Sequence, residues 1–293
     1  MTIAGVELDH VAHAVHRWQD AWGRYAVDFG AEWSSGGPGP GFAPGQVRFA
    51  NDARVELLMP HDTAVNDFLE RYLRSNGPGP HHLTFKVADI ASGIEQARRS
   101  GWEPIGIDLS DPQWMEAFIH PKQAAGVVVQ LAQAGTAWAS PAPEDYPTDR
   151  RRRRNGSGPV PPAPLRLVTH VVADMALATR LFVDLLGGET VGGGSARGLS
   201  WVDLSWAGPL RLRVVAPDHQ SGGGPLLRWL DGRPGRIHHL DLDTEEPDGV
   251  PDARPVHADE LASAIGTGST PRWLVEPQAN AGMRLVVNDR VDQ

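Results

Sequence analysis

Four stretches in the first half of this 293-residue chain return, in the same order, in the second half. "LDHVAHAV" (8–15) answers to "VTHVVADM" (168–175), "ARVELLMP" (53–60) to "LRLRVVAP" (210–217), "HHLTFKV" (81–87) to "HHLDLDT" (238–244), and "IHPKQAAGVVVQLA" (119–132) to "VEPQANAGMRLVVN" (275–288). A solenoid would repeat about every 20 to 50 residues, so a repeat this long marks a duplicated domain. Between the copies runs "GTAWASPAPEDYPTDRRRRRNGSGPVPPAP", rich in Pro, Gly, Ser and Arg and without apolar periodicity, which reads as a linker. The expected organisation is a domain over 1–134, a linker over 135–164 and a second domain over 165–293. The arginine run 150–154 reads as a solvated stretch rather than a grip for an anionic partner.

Each half divides again. A strand with His10 precedes a helix-like stretch, "RWQDAWGRYAVDFG", and then strands ending in "VELLMP". A strand with His82 precedes a second helix, "DIASGIEQARRSG", closed by a glycine suited to a C-terminal cap, and then "WMEAFIHP" and "GVVVQLAQ". Strand, helix, strands, four times over, predicts an α+β protein built from four βαβββ modules, paired into two cupped sheets with helices on one outer face. In the fourth module "TEEPDGVPDARP" stands where the second has its helix, so that helix is eroded.

Composition narrows the function. The chain has no cysteine, which excludes disulfides, thiolate metal sites and a cysteine nucleophile. No stretch of about 18 apolar residues occurs, and no basic segment followed by an apolar run opens the chain. These features lead us to expect a cytoplasmic protein with no membrane partner. A formal charge of −9 argues against nucleic acid, because neutralising phosphates needs a basic face. The glycine runs at 36–41, 192–194 and 222–224 lack phosphate-loop contexts and read as loops at a pocket mouth. Trp18, Trp22, Trp201, Trp206 and Trp229 fall on expected helices or strands and read as core.

Side chains alternate faces along a strand, so one histidine of the doublet His81–His82 points inward and the other away. Glu56 and Gln130 interrupt strands otherwise made of Val, Leu and Ala. A polar group among such neighbours costs a few kcal/mol unless it finds a partner. His10 precedes Glu56 by 46 residues and His82 precedes Gln130 by 48, so equivalent strands of consecutive modules each carry one nitrogen and one oxygen donor. If the modules pack with pseudo-twofold symmetry, the four side chains converge. Two imidazoles, a carboxylate and an amide oxygen suit Zn, Ni, Co, Mn or Fe as a divalent metal, with positions left open for substrate.

These stretches, nearly continuous over 7–133, resemble the vicinal oxygen chelate superfamily of glyoxalases, bleomycin-resistance proteins and extradiol dioxygenases, and within it most closely the methylmalonyl-CoA epimerases. The resemblance implies two glyoxalase-like domains. It makes His10, His82 and Gln130 metal ligands, with Glu56 at a fourth position used by some members and His81 either an outward neighbour or a group supporting His82. It implies a metal-dependent isomerase or lyase acting on a small molecule with vicinal oxygens through a metal-stabilised enediolate. The alternatives are a non-catalytic small-molecule binder of the bleomycin-resistance type and, third, an extradiol-type dioxygenase. Epimerases carry glutamate where this chain has Gln130, and an acid before the strand that here reads "FAPGQVRFA", where this chain has none. The candidate bases are therefore Glu56, Glu116 and His120. In the second half the sequence match puts His170, Arg213, His239 and Val286 at the four positions, so no metal is expected there. Fusion of two domains leaves a monomer or a homodimer as the expected state.

Overall fold

The computed structural model describes residues 2–135, 139–218, 224–257, 260 and 272–290. The first half forms strands β1 (Glu7–Ala14), β2 (Glu32–Gly36), β3 (Gly41–Arg48), β4 (Arg54–His61), β5 (Gly79–Lys86), β6 (Pro104–Asp108), β7 (Trp114–Ile119) and β8 (Val128–Ala134). They make one sheet in the order β2-β3-β4-β1-β5-β8-β7-β6. The second half repeats it with β9 (Leu165–Val172), β10 (Glu189–Ala196), β11 (Leu199–Ser205), β12 (Arg211–Pro217), β13 (Gly235–Thr244), β14 (Ala253–Pro255), β15 (Arg272–Val275) and β16 (Leu285–Asp289), ordered β10-β11-β12-β9-β13-β16-β15-β14. The α+β architecture of two cupped sheets, each made of two modules, is the one the repeats predict. Within each sheet the modules meet along one antiparallel seam, β1 with β5 and β9 with β13.

The helices form where apolar residues recur at helical spacing. In α1 (Phe68–Asn76) Leu69 and Leu73 are buried, and in α2 (Ile90–Arg99) Ile90, Gly93, Ile94 and Ala97 are buried. Asp89 caps α2 by accepting the Ser92 N–H at 2.8 Å, and Gly101 follows it at φ +84°. The helix expected over "RWQDAWGRYAVDFG" is broken into a 3₁₀ turn, Trp18–Asp20, and a π-helical run, Arg24–Asp28; Trp18, Trp22, Tyr25, Ala26 and Phe29 nevertheless all face the core. The third module repeats this with α3 (Met175–Thr179) and a π-helical run, Arg180–Leu185. Among the described residues of the fourth module, a 3₁₀ turn, Pro247–Gly249, stands where the second module has α2.

Helix α1 lies across the inside of the cup. Leu69 and Leu73 pack on Ala12, Ala14 and Leu58. Its counterpart α4 (Gly224–Leu230) sets Leu226 and Leu230 on Val171, Leu199 and Val215. The glycines 192–194 are not in a loop but in edge strand β10, where Gly194 leaves room for the Trp201 ring. Gly36 and Gly41 do bound the β2–β3 hairpin. Gly222 and Gly223 lie outside the described residues.

The segment between the sheets is docked. The Tyr146 hydroxyl donates to the Ala31 carbonyl at 2.8 Å and its ring packs edge-on to Trp22 and Trp33. The arginines of the basic run pair with the eroded fourth module: Arg153 with Glu245 at 2.6 Å, Arg154 with Asp248 at 2.7 Å and Arg151 with Glu246 at 3.7 Å. The partner of these cations is thus the chain's own acidic segment, which a sequence match alone does not bring near.

One apolar cluster spans both halves, from Ile3 and Leu8 to Leu285 and Val287. Phe85 meets Phe182 and Trp206 across the boundary, with ring centroids 6.1 and 5.1 Å apart. Among the described residues no helix is long and apolar enough to cross a membrane.

Candidate metal centre

On the first sheet His10 lies opposite Thr84, Thr84 opposite Gln130, and Gln130 opposite Phe118, so one row of side chains crosses β1, β5, β8 and β7 on a single face. His82, two residues before Thr84, shares that face, as does Glu56, which lies beside Ala12. All four expected donors are buried: His10 is 0 % exposed, His82 4 %, Gln130 5 % and Glu56 8 %.

His10, Glu56 and His82 each offer an atom within 4.8 Å of the others. Glu56 Oε2 stands 3.5 Å from His10 Nε2 and 3.7 Å from His82 Nε2. Two donors each about 2.1 Å from one ion at tetrahedral angles lie roughly 3.4 Å apart, so these edges suit a bound divalent metal. His82 Nε2 supplies the second sign of fit, because it is fully buried and has no hydrogen-bond partner. Its Nδ1 is 2.8 Å from His81 Nδ1. With the proton on His82 Nδ1 shared toward His81, the His82 Nε2 lone pair faces the cluster bare. Burial, then the neighbouring His81 and His10, hold the His82 pKa well below its ordinary value, with a partial offset from Gln130. Burial likewise brings His81 down to about 4. Both rings stay neutral, as a ligand and its support must. The histidine doublet therefore places one imidazole in the centre and one behind it, where His81 is wedged against Tyr72 of α1 with ring centroids 4.5 Å apart.

His10 is held differently. Its Nδ1 meets Asp9 Oδ2 at 2.7 Å, which turns Nε2 toward Glu56 and toward Thr84 Oγ1 at 2.8 Å. A carboxylate behind an imidazole ligand fixes the ring and raises its basicity. Burial opposes the charge on His10, but Glu56 and Asp9 outweigh it and bring the pKa up to about 9. Asp9 is itself clamped by Arg54 at 2.9 Å and Lys86 at 2.7 Å. Burial would raise the Asp9 pKa, yet His10 and Lys86 hold it far below the usual carboxylate range. Asp9 is the site residue that strand alternation misses, whereas Thr84 lies on the His82 face that alternation predicts. Asp9 reads as pointing away from His10, but the seam between β1 and β5 is irregular at Leu8–His10, and there the carboxylate folds back on the neighbouring ring.

Gln130 sits between two partners. The Thr84 hydroxyl donates to its Oε1 at 2.6 Å, and its Nε2 donates to Glu116 Oε2 at 2.6 Å. Trp114 Nε1 donates to the same Glu116 oxygen at 2.9 Å. Burial raises the Glu116 pKa against the pull of these two donors. His120 stands apart, exposed at the end of β7, where its Nδ1 accepts the Lys122 N–H at 3.2 Å.

The second cup is a different surface. The sequence match pairs His10 with His170, but the strands pair them otherwise. Thr84 lies opposite His10 and Leu83 opposite Val11, whereas Asp241 lies opposite Leu167 and Leu240 opposite Val168. Leu167 thus occupies the place of His10, and His170 that of His13. Valines flank Thr169 and His170 in strand β9, so its pattern can be laid on that of β1 in two registers, and the alignment slips by three residues. Arg213 takes the place of Glu56 and binds Asp203 at 2.5 and 2.6 Å. Val286 takes that of Gln130. His239 is retained, but its Nε2 faces Asp241 at 3.0 Å, and Arg272 also pairs with Asp241. Among the described residues the donor set of the first cup is not repeated.

A family model described as a glyoxalase-like domain matches residues 8–161. The mitochondrial methylmalonyl-CoA epimerase of Mus musculus is 31% identical over 137 residues, covering 43% of this chain and 72% of that protein. The Homo sapiens enzyme is 31% identical over 135 residues, covering 43% and 73%. Over nearly the whole chain, a mutant 4-hydroxymandelate synthase from Streptomyces coelicolor has a TM-score of 0.63 at 13% identity, covering 98% of this chain and 93% of that one, which is a likeness of fold. With the family model spanning more than half its length, the chain belongs to the glyoxalase-like family of the vicinal oxygen chelate superfamily, and its N-terminal half is the part that resembles the epimerases.

Proposed function

We propose that this protein is a metal-dependent isomerase or lyase of the glyoxalase or epimerase kind, acting on a small molecule with two adjacent oxygens inside the first cup. The observation that carries the reading is the buried cluster of His10, Glu56 and His82 with His82 Nε2 unpartnered. A divalent ion bound there would supply Lewis-acid stabilisation of negative charge on the substrate oxygens as an α-proton leaves. His10 and His82 present nitrogen donors, Glu56 an oxygen between them, and Gln130 an amide oxygen beside them. Glu56 is the base we favour, because its Oε2 already faces the centre. The Glu116 oxygen that faces the site is engaged by Trp114 and Gln130, and His120 is exposed at a strand end, so neither is as well placed to take a proton. Beside the cluster, Ala12, Ala14 and Leu58 are covered by Leu69 and Leu73 of α1.

The dioxygenase reading asks for a His, His, Glu set in the second half. The corresponding positions hold Leu167, His239, Arg213 and Val286, which gives that reading no support.

The test joins metal analysis to proton exchange. Purified protein should carry close to one divalent ion, and His10→Ala, His82→Ala protein should carry none. In deuterated buffer, the loaded protein should exchange the α-proton of an α-hydroxy ketone, a glyoxal–thiol adduct or methylmalonyl-CoA, followed by NMR. Metal-free protein that still binds an aromatic ligand would instead establish the bleomycin-resistance-type binder.

A further inference from the structure

We infer that Glu116 is a positioning residue which, with Trp114, locks the side-chain amide of Gln130 so that its oxygen and not its nitrogen faces the His10–Glu56–His82 cluster. The inference rests on the metal reading above. It answers how a glutamine can serve at a position where the epimerase-like pattern has glutamate: a carboxylate offers an oxygen whichever way it turns, whereas an amide does so only in one of two orientations.

Polarity along the hydrogen-bond chain decides which. An indole N–H can only donate, so Glu116 Oε2, 2.9 Å from Trp114 Nε1, is an acceptor. With Glu116 as the carboxylate, an acceptor only, the Gln130 atom 2.6 Å from that same oxygen is the amino group. That turns Gln130 Oε1 toward Thr84, whose hydroxyl donates to it at 2.6 Å and whose oxygen lies 2.8 Å from His10 Nε2. Flipping the amide would set oxygen against oxygen at Glu116 and aim an N–H₂ at the place a cation would occupy. The two modules of the second half supply an internal comparison. There Val286 replaces the amide, and Arg272, opposite Asn288 as Glu116 is opposite Ala132, replaces the carboxylate. Where there is no amide to orient, the orienting acid is absent too.

The experiment titrates metal-stripped, full-length protein with Co²⁺ and follows the visible absorption of the bound ion. Glu116→Leu should weaken Co²⁺ binding about 10- to 100-fold, the range for loss of a group that orients a ligand. Glu116→Gln should bind within a few-fold of wild type, since its amide oxygen accepts both hydrogen bonds. In a Gln130→Glu background both oxygens at 130 are equivalent, so Glu116→Leu should no longer weaken binding. Equal affinity of Glu116→Leu and wild type would overturn the inference, and so would the same loss in both backgrounds, which would mark a merely structural role. Should Glu116→Leu fail to fold, Trp114→Phe removes the indole donor at similar size: weakened binding upholds the inference and unchanged binding overturns it. Wild-type protein that is folded yet binds no Co²⁺ would sink the metal reading itself, a distinct outcome.

Discussion

His13 and His170 fasten the two halves from opposite sides. Nε2 of His13 lies 2.8 Å from the Ala281 carbonyl oxygen of the second half, and Nε2 of His170 lies 2.9 Å from the Ala125 carbonyl oxygen of the first. Both rings are wholly buried, and burial brings both pKa values down to about 4. Unfolded, each would titrate near 6.5. Between about pH 4 and 6.5 the unfolded chain therefore binds more protons, so stability rises with pH there and is lost on acidification. Melting temperature should fall steadily from pH 6.5 to 4.5. In the double variant His13→Gln, His170→Gln that slope should flatten without vanishing, because His81 titrates in the same sense. An unaltered slope would refute the assignment.

Glycine is required where the halves interlock. Gly282 adopts φ +84°, and a Cβ there would lie 1.8 Å from the Pro78 carbonyl oxygen. Gly126, at φ +87°, would meet Gly235 at 2.2 Å. Gly282→Ala and Gly126→Ala should each lower the free energy of unfolding in urea by roughly 2–5 kcal/mol.

Asp9 should matter to metal affinity without touching metal. Asp9→Asn keeps the shape but weakens the hold on His10 Nδ1, and calorimetric Zn²⁺ titration should register a loss of about 10- to 100-fold. Asp241→Asn, in the cup without the donor set, should leave Zn²⁺ affinity where it was.

In the second cup, Arg213→Ala leaves the Asp203 carboxylate half-buried without its guanidinium and should cost about 3 kcal/mol or more of stability, read by chemical denaturation. Arg213→Glu should not add a second equivalent of metal, because Leu167 supplies no nitrogen.

Much of the fold is legible in the chain. The four modules follow from the repeats and the strand–helix–strands pattern, and the matched intervals of the polar residues interrupting apolar strands anticipate the cluster of His10, Glu56 and His82. The hidden features share a cause. Helices α1 and α4 join modules rather than lie within them, so the strand–helix–strands pattern has no slot for them. Asp9 acts through a local irregularity of its strand, which alternation cannot express. The slip of three residues at His170 arises because the valines on either side of it let its strand be laid on β1 in two registers. The docking of the arginine run depends on acids some 90 residues away, Glu245, Glu246 and Asp248, whose proximity only the packed sheets create.

The interlock at His13 and His170 has kept its mirror relation although the two cups have lost theirs. The seam closes from each side by the same contact, a buried imidazole on a backbone carbonyl, whereas the cup of the second half is built as an ion-paired support. Geometry between the copies is thus preserved where the equivalence of their buried side chains is not.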